Sequence, residues 1–340
     1  MSDVAKFLEP MLALHDRIRA SVVDACTRQA MDELAAVSAE EVSDTIYQVD
    51  RVSEENLVAG LDDFARDEPL VLMAEGLPGS SLVLPRGARE TDCRWRVIVD
   101  PIDGTRGIMY QKRSAWILTG VAPNRGGETR IRDIVLAVQT EIPLVKQHLS
   151  DQLWAIRGEG VHATRFNRIT GESEPLIVRP SRAGTIAHGF SSVCRFFPGV
   201  RDVLAAIDDE IVTEVLGPPL AGKAACFEDQ YLSTGGQLYE LMAGHDRFVA
   251  DVRPLMQPLY AKRGLPRGIC AHPYDVCTAL IAEELGVVVT GDDGLPLDAP
   301  FDVESDVSWV GYANERLRAL IEPALHGALR RRGLLPSHVS

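Results

Sequence analysis

The chemically most pointed stretch of the chain is Trp95-Arg96-Val97-Ile98-Val99-Asp100-Pro101-Ile102-Asp103-Gly104-Thr105. An apolar run reads as a buried strand that delivers Asp100 at its end. Pro101 and Gly104 force the chain to turn, and Asp103 follows three residues on. Two carboxylates on one tight turn, with little bulk around them, form an all-oxygen claw suited to a hard divalent cation such as Mg²⁺. The amides of Gly104, Thr105 and Arg106 open the next helical turn and can hold an anion. The plain alternative is an acidic turn that only caps that helix. Cys270, His272 and Cys277 raise the question of zinc, but no second ligand pair with the usual spacing accompanies them.

Composition narrows the chemistry. The 340 residues carry a formal net charge of −14, which argues against a nucleic acid duplex as partner, since such binders need a basic stripe. An anionic substrate would require local positive charge, and bound cations are the obvious source. The six cysteines are scattered and too sparse for a disulfide scaffold, so reduced thiols and a cytoplasmic location are expected. No apolar run approaches the roughly 18 residues of a membrane helix. The start, Met1-Ser2-Asp3-Val4-Ala5-Lys6, does not read as a secretory signal.

Several elements must position these groups. Apolar spacing predicts a helix over 3–37, broken at Ser21 or later, and a second helix that follows Asp50 as its N-cap. Residues 71–74, 95–99, 115–121, 134–138 and 152–156 read as strands, the first ending in Glu75, and suggest a largely antiparallel sheet. Beyond residue 180 the order is mixed. Helices are expected over 200–211, 233–243, 275–285 (stopped by Gly286) and 314–331, with strands over 247–252, 287–290 and 307–313. Two lobes follow, residues 1–179 with the acidic turn and residues 180–340.

Two families share part of the acidic turn. The haloacid-dehalogenase-like phosphatases use Asp-x-Asp-Gly-Thr, but the position of their nucleophilic aspartate is Pro101 here, and proline forms no acyl phosphate. Asp100-Pro101-Ile102-Asp103-Gly104-Thr105 instead resembles the full signature of the inositol monophosphatase-like superfamily, which also contains fructose-1,6-bisphosphatases and 3′(2′),5′-bisphosphate nucleotidases. Glu75 resembles its metal-binding glutamate, although Gly76 stands where a second acid is common. His272-Pro273-Tyr274-Asp275 resembles its Trp-Asp element, with Asp275 as a late ligand. Asp50 resembles the aspartate that helps the signature threonine orient water, and a plain N-cap accounts for it as well. Leu153 to Val161 is similar to a family hairpin, and Ser233-Thr234-Gly235-Gly236 to its substrate loop. Asp251 falls at an acidic sugar-contacting position. The resemblance spans roughly residues 40–325. The 24 positions from Asp251 to Asp275 exceed the compact members' spacing, so something extra sits beside the site.

The resemblance implies an α+β, or α/β, fold: a layered αβαβα sandwich of two lobes. It implies hydrolysis of a small sugar or inositol phosphate monoester with two or three Mg²⁺ ions, sensitivity to lithium, and a homodimer. One ion would be held by Glu75, Asp100 and the Ile102 carbonyl, another by Asp100, Asp103 and Asp275. Thr105, with Glu75 or Asp50, would orient water. Gly104, Thr105, Thr234, Gly235 and Asp251 would contact substrate. Arg106-Gly107 is closer to the Lys-Gly of the bisphosphate nucleotidases, which makes that activity the first alternative. A catalytically degenerate homologue that only binds a phosphorylated ligand is the second.

Overall fold

The structure, a computed structural model, describes residues 3–28, 37–40 and 45–336; the side chains of 37–40, 45–56 and 78 lie outside the description. Its helices are α1 (Leu8–Arg28), α2 (Gln48–Asp67), α3 (Thr105–Met109), α4 (Arg201–Leu216), α5 (Thr234–Met242), α6 (Gln257–Lys262), α7 (Ala279–Glu284) and α8 (Glu315–Arg331). Its strands up to residue 175 are β1 (Val37–Glu40), β2 (Thr45–Tyr47), β3 (Leu70–Ala74), β4 (Ser81–Leu84), β5 (Trp95–Asp103), β6 (Ala115–Pro123), β7 (Leu136–Ile142), β8 (Leu149–Ile156), β9 (Val161–Asn167) and β10 (Ser173–Pro175). Four more follow: β11 (Phe190–Val193), β12 (Asp246–Asp251), β13 (Val288–Thr290) and β14 (Trp309–Tyr312).

An eight-stranded sheet has the order β10-β9-β8-β7-β6-β5-β3-β4, and a four-stranded sheet the order β11-β12-β14-β13. The larger sheet is antiparallel except where β3 lies parallel to β5. Both of its faces are covered, so its central strands are apolar at nearly every position. Along β5, Val97 and Val99 face the core under α1 and α2, while Ile98 faces the core shared with the four-stranded sheet. Leu72 and Met73 of β3 divide the same way. The layers run α1 and α2, large sheet, α5 and α7, small sheet, α4 and α8, which is the expected α+β sandwich. Among the described residues no helix is long and apolar enough to cross a membrane.

Several local expectations change. A 3₁₀ turn over Asp3–Phe7 leads into α1, which runs unbroken through Ser21 to Arg28; residues 29–36 lie outside the description. Phe7 of the turn and Met11, Leu14, Ile18 and Val22 of α1 are buried and keep one stripe on the sheet, each contributing roughly 1.5–3 kcal/mol. The second helix starts at Gln48, directly after β2, so Asp50 lies within the first turn and is not its N-cap. The helix expected from Asp275 starts only at Ala279. Residues 273–278 form tight turns instead, because the Asp275 carboxylate folds back onto the His272 amide at 2.6 Å. The hairpin between β8 and β9 is present, and the Glu284 carboxylate accepts the Gly158 and Gly160 amides at 2.8 and 3.2 Å.

His15 of α1 is fully buried between Thr140 (2.9 Å) and Thr119 (2.8 Å). Burial, with a smaller push from Arg19, lowers its pKa from 6.5 to about 3. Between those values the unfolded chain binds a proton that the folded chain refuses, so this residue's contribution to stability falls as pH drops below the unfolded value. From pH 7 to pH 5 the loss is about 2 kcal/mol. Urea unfolding of the parent and of His15→Gln at both pH values should show this extra acid loss in the parent alone. Equal losses would mean that the ring is charged in the fold.

Candidate metal centre

The site grows from one irregularity in β5. In a regular strand, residues three apart point to opposite faces. Here Asp100 pairs with Leu118 and Asp103 with Trp116, so three steps on β5 oppose two on β6. The extra residue is a bulge at Pro101-Ile102, where proline costs no ladder bond, and it turns both aspartates to the same side. The parallel pairing of β3 with β5 sets Ala74 opposite Val99, so the next residues, Glu75 where β3 has ended and Asp100 still within β5, come side by side. The turn before α7 brings Asp275 to the same place.

Asp100, Asp103 and Asp275 each offer a carboxylate oxygen, and these lie within 4.8 Å of one another. Glu75 lines the same cavity, as do Ile102, Gly104, Thr105 and Thr234. Asp100 and Asp103 are 7 % and 6 % exposed, so their charges are scarcely solvated. Burial first, and then the neighbouring charges of Asp103, Asp275 and Glu75, raise the Asp100 pKa well above the carboxylate range. Burial and Asp103 do the same to Asp275. Burial raises Asp103 to about 6, against hydrogen bonds that pull it down. Like charges forced together in a dry place, with oxygen donors only, fit a hard divalent cation and not zinc. Asp100 Oδ1 accepts from the Ile102 amide (2.9 Å) and Asp275 Oδ2 from the His272 amide, which leaves the other oxygen of each for an ion. Cys270 and His272 line the cavity, but Cys277 is not among its lining residues.

Asp103 is tied more tightly. It accepts from Ser233 Oγ (2.7 Å) and from the amides of Thr234 (3.2 Å) and Gly235 (2.5 Å), the first turn of α5. Ser233 also caps that helix by accepting the Gly236 amide at 2.9 Å. A Cβ at Gly235 would come 2.5 Å from a Leu118 methyl and 3.0 Å from the Asp103 carboxylate, so any larger residue would press on the side chains there. Thr234 and Gly235, residues expected at the substrate, give their amides to a metal-ligand candidate, and Thr234 also lines the cavity. Gly104, at φ +94°, starts α3 and would meet Ser233 if it carried a Cβ. Thr105 Oγ1 donates to the Ile102 carbonyl at 2.9 Å. The Asp50 side chain lies outside the described residues.

Asp251 is fully buried and does not line the cavity. Its carboxylate is forked onto Arg253, whose guanidinium does line it, beside Phe196, Phe197 and Arg106. Sequence reasoning passed over Arg253 and the two phenylalanines. The available signal was an arginine two residues beyond an acid at a strand end. The long Asp251–Asp275 spacing is filled by a 3₁₀ turn at Arg253–Met256, by α6 and by a return loop that brings Ile269 and Cys270 to the cavity.

No protein-family model matches the chain, and no curated protein sequence does either. Solved structures do. The extragenic suppressor protein SuhB from Bartonella henselae superposes with a TM-score of 0.63 at 16% identity, over 94% of this chain and 98% of that one. Fructose-1,6-bisphosphatase from Leishmania major, in its holo form, gives 0.67 at 15% identity over 98% and 96%. An IMPase from Thermotoga maritima gives 0.58 at 16% identity over 95% and 98%. The chain therefore has the fold these proteins share, over nearly its whole length.

Proposed function

We propose that this chain is a Mg²⁺-dependent phosphomonoesterase that hydrolyses a small sugar or inositol phosphate with water as nucleophile. One observation carries the reading: carboxylates from β5 and from the turn before α7 converge in a buried cavity that Glu75 also lines. The shared fold supports it, since two of the superposed structures are phosphatases by title. Glu75, Asp100 and the Ile102 carbonyl would hold one ion, and Asp100, Asp103 and Asp275 another, with two or three ions in all. Bound there, Mg²⁺ supplies an acidified water and offsets the charge of the phosphoryl group.

The chain's own groups do the rest. Thr105, whose hydroxyl is fixed on the Ile102 carbonyl, orients water together with Glu75 or Asp50. The amides of Gly104 and Thr105 receive the phosphate. Asp103, fixed by Ser233, Thr234 and Gly235, cannot swing away as charge develops. The water oxygen forms a new P–O bond as the ester P–O bond breaks; the attacking water gives a proton to solvent and the departing alkoxide takes one up, leaving as the alcohol. Chain patterning, sparse cysteines and net charge add a division into lobes near Pro180, a cytoplasmic location and no nucleic acid duplex, and the resemblance adds inhibition by lithium and a homodimer.

The test is phosphate release in Mg²⁺ from a panel that includes inositol monophosphate, hexose monophosphates and 3′-phosphoadenosine 5′-phosphate. Turnover of a sugar or inositol ester that chelator abolishes is the expected result. Turnover of the nucleotide alone would replace this substrate class. No release from any member, with Mg²⁺ bound, would leave a ligand-binding protein.

A further inference from the structure

The cavity lining carries both signs of charge: Glu75, Asp100, Asp103 and Asp275 line it, and so do Arg106 and Arg253. In a protein of net charge −14, an arginine only 8 % exposed on the lining of the acidic cavity calls for an explanation. We propose that Arg253 is a specificity-determining residue that receives a second anionic group on the substrate, a carboxylate or a second phosphate, and that Asp251 positions it. The proposal rests on the phosphomonoesterase reading and names the substrate class of that site.

The geometry of Arg253 carries the argument. A guanidinium has five N–H donors in a rigid plane. Nε donates to Asp251 Oδ1 at 2.8 Å, Nη2 to Asp251 Oδ2, and Nη1 to the Ile269 carbonyl at 3.0 Å. Among the described residues, one donor on each terminal nitrogen has no hydrogen-bond partner and can serve a ligand. The side chain cannot turn away. Asp251 holds it edge-on from a fully buried position, and its Cζ lies 4.9 Å from the Phe196 ring centroid and 5.5 Å from that of Phe197. Arg106 approaches the same Phe197 ring at 5.5 Å, so the wall carries two cations around one aromatic ring.

Neutralising the acidic cluster does not account for Arg253, because among the described residues its ion pair is with Asp251 and not with Asp100, Asp103 or Asp275. An acid at position 251 that was free to contact sugar hydroxyls would suit a neutral polyol. Here it has no cavity surface and presents a cation in its place. A fixed fork with two donors left matches the paired oxygens of a carboxylate or phosphate.

Matched substrates test this. Glycerol 2-phosphate and 2-phosphoglycerate differ by a carboxylate, and glucose 1-phosphate and glucose 1,6-bisphosphate by a phosphate. The parent should prefer the second member of at least one pair by about tenfold or more in kcat/KM, and the pair that responds identifies the anion. Arg253→Met should shrink that preference at least about tenfold, mainly through KM, with partial recovery in Arg253→Lys. Asp251→Asn, which leaves shape intact, should also shrink it. If the Met variant fails to fold, the Lys and Asn variants decide. No preference in the parent, or an equal fall on both members in every variant, overturns the proposal. Where neither member is hydrolysed, calorimetric Kd values for the same pairs replace kcat/KM. Tighter binding of the partner with the second anionic group, without phosphate release, would remove the phosphatase reading and keep Arg253's role.

Discussion

Asp100→Asn is expected to lower Mg²⁺-dependent kcat/KM by about 10³-fold or more, roughly 4 kcal/mol of transition-state stabilisation, without unfolding the protein. Asparagine keeps the size of aspartate, and its oxygen can still accept the Ile102 amide. What disappears is the charge shared between the two proposed ion positions. The metal-free variant should unfold no earlier than the parent at pH 8, since one member of a crowded carboxylate set has become a neutral donor to the others. A kcat/KM within tenfold of the parent would sink the metal-centre reading. A large fall in Tm would assign Asp100 to structure instead.

The second large effect is on stability. Saturating MgCl₂ should raise Tm by several degrees over EDTA at pH 8, and by much less at pH 5. The sign follows from the carboxyl pKa values, raised in the fold to about 6 for Asp103 and well above the ordinary range for Asp100 and Asp275. At low pH the folded state keeps protons there that the unfolded chain releases, which favours the fold. That advantage is lost as pH rises through the folded pKa values, and the charges are left to repel. A divalent cation then replaces the protons. At a hundred times its Kd, one ion adds about 2.7 kcal/mol. Scanning calorimetry at both pH values is the measurement, and a Tm indifferent to Mg²⁺ at pH 8 would contradict the ligand set.

The sequence made β5 and its acidic turn legible because a strand buried on both faces is an uninterrupted apolar run, and proline and glycine mark where it ends. The α+β layering followed from the resemblance. The neighbours of that turn were less legible. Glu75 reaches Asp100 through the register of β3 on β5, a pairing between distant segments that no local pattern records. Asp275 was identified, but its helix was placed four residues early, because the carboxylate's bond to His272 tightens the turn. Thr234 and Gly235 were assigned to the substrate from their loop motif. Their amides point to Asp103, a partner more than a hundred residues away in sequence. Asp251 was read alone, whereas its chemistry is decided by Arg253.

The bond set from Ser233, Thr234 and Gly235 to Asp103 joins the end of a strand in the large sheet to the helix lying between the two sheets. If the proposed cation binds there, its affinity and the seating of those layers form one reciprocal equilibrium. Anything that pries the helix from the strand would then loosen the grip on the ion, and a bound ion would work as a rivet across the seam. A nick or a distant substitution that unseats the helix would then show itself first as a weakened cation requirement curve, before any loss of secondary structure.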